Sequence, residues 1–436
     1  MALLTLYRGL TDLSAPVVRL ALRRRLARGK EDAARLGERL GHPGRPRPDG
    51  PLVWLHGASV GEGLSLLPLI ERLRAERPAV RVMCTTGTVT SAGLMAARLP
   101  EGALHQFVPV DLSRRAVHRF LDHWRPDLAL FAESEFWPNL MTETAARRIP
   151  MALLNGRVSP GSAGAWARYG PGAIRAMLGP MRVTLAQSEA DGARLRALGA
   201  DPVACVGNLK FAAPPAPADP DELARLRAAI GDRPCWLALS THDPEEALVA
   251  RVHRQVAGRV PGLLTLVMPR HHVRGETVAA ALAAEGVRVA RRSLGEGPGR
   301  DTDVYLMDTM GEVGLAARLA PVVVMGKTLA GEGGGQNPLE PARLGAAVLF
   351  GPRMDNFRDM VARMRAAEAA RQVADEADLA AVLGSLLTDA QARTALGQRG
   401  AAFADGEAGV LDRVMAALAP LLDPLAPAGG GRHAGA

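Results

Sequence analysis

Short apolar runs alternate with longer amphipathic stretches along most of this chain, and a cluster of polar residues and glycine closes nearly every run. Runs of Val, Leu, Ile, Met and Ala without polar alternation suit strands buried on both faces, and the helical stretches between them supply the crossovers that parallel strands need. The pattern predicts strands over 52–56, 80–85, 128–132, 151–154, 183–187 and 203–206, then a second series over 235–239, 263–268, 287–290, 304–307, 322–325 and 347–350. Residues 212–220, Ala-Ala-Pro-Pro-Ala-Pro-Ala-Asp-Pro, have the composition of a linker. A chain of 436 residues exceeds what one core holds, so two doubly wound domains are expected, 46–211 and 221–425, facing a central cleft. The Gly/Ala/Pro-rich tail 426–436 is expected to be disordered.

Open α/β sheets bind ligands beyond the carboxyl ends of their strands, which is where the unusual residues fall. His56-Gly-Ala-Ser-Val-Gly-Glu62, Glu133-Ser-Glu-Phe-Trp-Pro-Asn139, Asn155-Gly-Arg157, Gly207-Asn-Leu-Lys210, Ser240-Thr-His-Asp243, Pro269-Arg-His271 and Asp308-Thr-Met-Gly-Glu312 each follow an expected strand. So does Gly331-Glu-Gly-Gly-Gly-Gln-Asn-Pro-Leu-Glu340, where a glycine turn leads into a short helix. Such a turn can present backbone N–H groups to an anion. Capping alone would account for Asn337 as N-cap, Pro338 as the first helical residue and Glu340 as the reciprocal acid. It would not account for Gly333, Gly334 and Gly335, which let another group come close to the backbone.

Each candidate has a plainer reading beside the chemical one. Glu62 can serve as a general base if its loop is partly desolvated, or can merely complement the positive end of the helix that follows. Glu133 and Glu135 flank Ser134, and spacing does not say which faces the site; Phe136 and Trp137 read as packing residues. Lys210 and Arg270 suit a phosphate leaving group, although Arg270 could pair with Glu276. Lysine is rare, at Lys30, Lys210 and Lys327 only, and two of the three lie in glycine-containing turns. Ser240 and Thr241 read best as caps of a helix starting near Pro244. In the 308–312 turn Gly311 permits close approach, and Glu312 could accept hydrogen bonds from sugar hydroxyls.

The net charge of +8 is concentrated at one end: residues 1–50 carry eleven Arg and Lys against five acids. The basic residues follow an apolar segment, Leu3–Tyr7 and Ala15–Val18, that Arg8, Asp12 and Arg19 interrupt. No run reaches the roughly 18 residues of a spanning helix, and no cleavage pattern marks a signal peptide. A membrane-associating segment over 1–45, lying as an amphipathic basic helix on an anionic surface, fits; a helical arm packed on its own domain is the alternative. Few aromatics and no RNA-binding motif argue against nucleic acid. The absence of GxxxxGK[ST] and of a dinucleotide fingerprint argues against ATPase and dehydrogenase chemistry. Cys84, Cys205 and Cys235 lack metal or redox spacing and read as buried thiols. His271-His272 and the Asp301-Thr-Asp303 pattern suit a metal poorly, and no metal or cofactor is expected.

Taken in order, these clusters resemble the 3-deoxy-D-manno-octulosonic acid (Kdo) transferase family over roughly residues 35–360. The carrying segments are Trp54–Glu62, Glu133–Leu140, Asn155-Gly-Arg-Val-Ser159, Gly207-Asn-Leu-Lys-Phe211, Ser240-Thr-His242, Pro269-Arg-His271, Asp308–Glu312 and Asn337-Pro-Leu-Glu-Pro-Ala342. The resemblance implies a GT-B fold, CMP-Kdo as donor, the lipid A precursor as acceptor, and inversion without a metal at the cytoplasmic face of a bacterial inner membrane. Carried over by residue, it implies Glu62 as the general base and Glu133 and Lys210 as transition-state stabilisers. Pro269, Arg270, Met310, Gly311, Glu312, Asn337, Pro338, Leu339 and Glu340 match its CMP-binding segments. Two departures stand out: Gly326-Lys-Thr where Gly-Gly-Ser is expected, and Gln336 where His is common. A nucleotide-sugar epimerase of the same architecture is the alternative, but it has no use for a basic amphipathic N-terminus.

Overall fold

The computed structural model describes residues 2–211 and 215–425, which form two units, the first of residues up to 211 together with those from Glu407 to 425 and the second of residues 215–406. In the first unit lie β1 (Leu52–His56), β2 (Arg81–Thr86), β3 (Ala103–Phe107), β4 (Leu128–Ala132), β5 (Met151–Gly156), β6 (Met181–Ala186) and β7 (Val203–Cys205). All pair in parallel, in the order β3-β2-β1-β4-β5-β6-β7. The second unit holds β8 (Cys235–Thr241), β9 (Leu264–Pro269), β10 (Val289–Arg291), β11 (Val304–Leu306), β12 (Val322–Met325), β13 (Ala347–Phe350) and β14 (Arg371–Gln372). Its order is β10-β11-β9-β8-β12-β13-β14, again parallel throughout.

The apolar runs become central strands because helices cover both faces of each sheet. Along β1, Val53 and Leu55 enter one core with Leu66 and Ile70, while Leu52 and Trp54 enter another with Phe120 and Trp124. That two-residue alternation leaves no solvent face, so the strand carries no polar alternation in its sequence. Two strands escaped the sequence pattern, β3 and β14, and each lies at a sheet edge. Edge position explains both: His105, Gln106, Arg371 and Gln372 are tolerated where only one neighbour pairs. In both sheets the winding direction reverses beside the first strand, between β1 and β4 and between β8 and β12. Those reversals are the switch points at which this class of sheet forms its sites.

Both domain boundaries differ from the sequence expectation. The segment expected as a linker, 212–220, is packed on the second unit over its described part. The Ala216 carbonyl accepts from Arg318 Nη1 at 2.6 Å, and a Cβ at Gly314 would stand 2.2 Å from that carbonyl oxygen. Asp219 then caps the helix Pro220–Ile230. At the other end, residues from Glu407 onward return to the first unit instead of completing the second. The helix Val410–Leu422 buries Val410, Val414, Leu418 and Leu422, a stripe at helical spacing that joins the core beneath β1 and β6. The 426–436 tail and residues 212–214 lie outside the described residues.

The N-terminal helices Ala2–Leu13 and Ala15–Ala27 rest on the first unit through one face. Tyr7 donates its hydroxyl to Asp111 at 2.7 Å, and Asn139 Nδ2 donates to Thr11 at 2.9 Å. Burial raises the pKa of Asp111, opposed by its bonds from Tyr7 and from the Leu140 and Asn139 N–H groups. The packed-arm reading therefore holds for this face.

Truncating the returning helix tests its membership of the first core. Leu418→Ala should cost about 2–5 kcal/mol in chemical denaturation, whereas a change under about 0.5 kcal/mol would mean that the helix is not integral.

Candidate active site

In the first unit the switch point brings together the loops after β1, β4, β5 and β7. Glu62 stands at the third position of the helix Val60–Glu76 and closes a capping box with Ser59. Its Oε2 accepts the Ala58 N–H at 2.6 Å and the Ser59 N–H at 3.2 Å. Among the described residues Oε1 accepts no hydrogen bond, so one oxygen fixes the side chain and the other is available. Burial raises the Glu62 pKa first, then the negative charge of Glu135 and, less, of Glu133; the Ser59 hydrogen bonds oppose them. The capping and base readings of Glu62 are thus compatible.

Glu133 directly follows β4 in the left-handed region, with φ 53°, and is buried. Its Oε1 meets Lys210 Nζ at 2.5 Å and the Asn155 amide at 3.4 Å. Asn155, itself at φ 52°, accepts the Leu209 N–H at 3.0 Å through Oδ1, tying the lysine loop to β5. That loop is braced from behind by the returning C-terminal helix: Arg413 Nε donates to the Val206 carbonyl at 3.0 Å, and Val410 crowds Gly207, whose φ is 92°. Glu135 takes a different partner, the Trp137 indole N–H at 2.6 Å. His56 lies fully buried behind it, with Nε2 3.7 Å from Glu135 Oε2 and Nδ1 2.9 Å from the Thr85 hydroxyl. His56, Asn155 and Glu135 were visible as members of strand-end clusters, but residue type alone gave them no role.

In the second unit the expected segments meet at the ends of β8, β9, β11 and β12, with several corrections. The helix after the glycine turn is the single turn Leu339–Arg343, and Pro338, not Asn337, occupies its N-cap position. Asn337 Oδ1 accepts the Leu339 N–H at 3.1 Å, a local turn, and Glu340 closes no capping box. So short a helix has little macrodipole to offer an anion. The glycines serve the chain itself: a Cβ at Gly333, Gly334 or Gly335 would stand 2.3–2.8 Å from side-chain atoms of Arg353, Asn356 or Met354. Leu339 is fully buried, so it can contribute only backbone.

Ser240 and Thr241 cap nothing. The helix Glu245–Ala257 starts behind Pro244 without a side-chain cap; Ser240 has φ 60°, and Thr241 donates to Glu246 at 3.1 Å. Arg270 does not pair with Glu276. It is exposed, and its charge acts on Glu340, whose pKa is raised by burial and lowered in part by Arg270 and Arg343. The charge of Arg270 is thus felt at Glu340. Glu312 is already engaged by Arg292, at 2.5 Å to each oxygen, and by the Thr309 hydroxyl, which leaves it less free for sugar hydroxyls than expected. Gly311, at φ 85°, and Met310, 76% exposed, form the open part of that turn. Sequence reasoning missed the adjacent acids Glu245 and Glu246, both buried. Glu245 receives the N–H groups of His242, Lys327, Thr328 and Leu329, and Glu246 pairs with Arg274 at 2.9 Å. Two acids opening a helix look like ordinary dipole complements, which hid them.

A family model described as 3-deoxy-D-manno-octulosonic-acid transferase (kdotransferase) matches residues 34–213. The 3-deoxy-D-manno-octulosonic acid transferase of Haemophilus influenzae is 32% identical over 402 residues, covering 89% of this chain and 92% of that one. The chain belongs to the 3-deoxy-D-manno-octulosonic acid transferase family. A second member, from Bordetella pertussis, is 34% identical over 386 residues, covering 86% of this chain and 88% of that one. The protein is accordingly a glycosyltransferase, as the order of its strand-end clusters implied. Among solved structures, UDP-GlcNAc 2-epimerase from Neisseria meningitidis superposes with a TM-score of 0.58, covering 85% of this chain and all of that one at 12% identity. A likeness at that identity concerns fold alone: two doubly wound α/β domains of the GT-B type.

The Glu62 carboxyl offers a test that needs no substrate. Its titration, followed by carboxyl-carbon NMR, should lie above the ordinary glutamate range. Glu135→Gln should lower it, because a neighbouring negative charge is removed. An unchanged midpoint in that variant would remove Glu135 as a cause.

Proposed function

We propose that this family member transfers Kdo from CMP-Kdo to the lipid A precursor in lipopolysaccharide biosynthesis, with inversion, without a metal, and with Glu62 as general base. The observation that carries the reading is the state of Glu62. Two backbone N–H groups hold one carboxylate oxygen, the other is unengaged, and burial beside Glu135 and Glu133 raises proton affinity. Inversion in a single displacement needs a base that takes the proton of the acceptor hydroxyl as the glycosidic bond forms. The same step needs positive charge where negative charge develops. Lys210, aimed by Glu133 and Asn155, supports that role in the first unit, and Arg270, whose charge is felt at Glu340, supports a phosphate contact in the second. The exposed turn at Met310 and Gly311 and the backbone of Asn337, Pro338 and Leu339 complete the proposed CMP contacts.

The N-terminal helices support a role at an anionic membrane surface, which we place at the cytoplasmic face of the inner membrane. No described helix is long and apolar enough to cross a membrane. The side chains of Leu3, Leu6, Leu10, Leu13, Val17 and Leu20 are 46–81% exposed. The exposed Arg19, Arg23 and Arg24 accompany them. An exposed apolar stripe with flanking arginines matches a helix lying in the headgroup region.

Glu62→Gln should keep CMP affinity within about threefold and lower transfer by about a thousandfold, the scale of a lost general base. Transfer reduced less than about tenfold would take Glu62 out of the base role. For the membrane role, the double variant Leu6→Asp, Leu10→Asp should lose most of its co-sedimentation with anionic vesicles while its circular dichroism is unchanged. Undiminished sedimentation would place the attachment elsewhere.

A further inference from the structure

Of the two lysines in glycine-containing turns, the mechanism above uses only Lys210. Lys327 directly follows Gly326 at the end of β12, beside β8, at the switch point of the second sheet. Its backbone φ is 61°, in the left-handed region where a lysine is strained and a glycine is not. Gly326 keeps the turn tight against β8: a Cβ there would stand 2.3 Å from the Ser240 carbonyl oxygen.

The strained turn is held by Glu245. Its buried carboxylate accepts the N–H groups of Lys327 at 2.5 Å, Thr328 at 2.8 Å and Leu329 at 3.0 Å, and that of His242 at 3.3 Å. Three successive N–H groups turned toward one point form an anion-binding nest. Here the chain's own carboxylate fills it, so the nest is closed to a ligand and instead fixes the direction in which Lys327 leaves the backbone. The Lys327 side chain is half-buried, and among the described residues no carboxylate pairs with its ammonium. Burial lowers the pKa of His242, its hydrogen bond to the Ser240 carbonyl opposes this, and the positive charge of Lys327 lowers it further. The His271 ring stands edge-on to His242 at 5.9 Å. Lys327, His242 and His271 thus gather at the ends of three adjacent strands, with the exposed Arg270 next in sequence to His271. A cation held in a strained position without a counter-charge is a group set aside for an anion.

We propose that Lys327 binds an anionic oxygen of the nucleotide-sugar donor, and that Glu245 is the positioning residue that aims it. This rests on the donor reading given above. A phosphate oxygen and a sugar carboxylate offer an ammonium the same chemistry, and the ligands used in the test separate them.

Calorimetric titration of the full chain with cytidine, CMP and CMP-Kdo, beside thermal unfolding, tests the assignment. Lys327→Gly relieves the left-handed backbone, so its melting temperature should equal or exceed that of the wild type. It should nevertheless bind CMP about tenfold more weakly if the partner is the phosphate, or only CMP-Kdo more weakly if it is the carboxylate, with cytidine unchanged. Lys327→Arg should stay within about threefold, since the charge is kept. Binding of both CMP and CMP-Kdo by Lys327→Gly at wild-type strength would overturn the proposal. An equal loss for cytidine would overturn it too, because it would show a purely structural role. A wild type that binds neither CMP nor CMP-Kdo would contradict the donor reading itself.

Discussion

The pairing of Glu133 with Lys210 is the interaction on which the first unit's site depends. A carboxylate as buried as Glu133 is costly to keep charged without a partner. The lysine that supplies one comes from a different strand end, 77 positions along the chain, and is directed by Asn155 from a third. Glu133 and Asn155 both adopt left-handed backbone conformations that asparagine tolerates better than glutamate. The left-handed residues sit at the strand ends where the functional groups leave the sheet, and β4 and β5 themselves are fully buried.

The second unit uses the same device with a different partner for the acid. Glu245 is the buried anion there, and it is satisfied by four backbone N–H groups instead of a lysine. Glu246 beside it holds Arg274 and Thr241, so two neighbouring acids fix the loops after β8, β9 and β12 together. In both units the switch point supplies the space, and a buried carboxylate supplies the rigidity. Such preorganised groups need little reorganisation as charge moves, which is the property a transferase site needs.

The central strands were legible in the sequence because burial on both faces removes polar alternation, as β1 and β12 illustrate. Edge strands β3 and β14 were not, since half-exposed pairing admits His, Gln and Arg. The identity of the site was legible mainly through the order of its clusters: Glu62, Glu133 and Lys210 come from distant segments, and the fold of the first unit brings the three together. What the sequence misassigned depended on contacts beyond the reach of local rules. Gly333, Gly334 and Gly335 make room for Arg353, Met354 and Asn356, a contact between segments twenty residues apart that no local rule contains. The return of the chain at Glu407 was equally hidden, because the stripe Val410, Val414, Leu418 and Leu422 fits any core of the right shape.

The proposed reaction moves Kdo from CMP-Kdo to a lipid A precursor. The direct measurement is to incubate the purified wild-type protein with both, with a chelator present, and follow free CMP and the mass of the lipid. Stoichiometric release of CMP and a lipid heavier by at least one Kdo unit are expected. Intact donor and unchanged lipid, under conditions where the Haemophilus influenzae relative gives product, would contradict it.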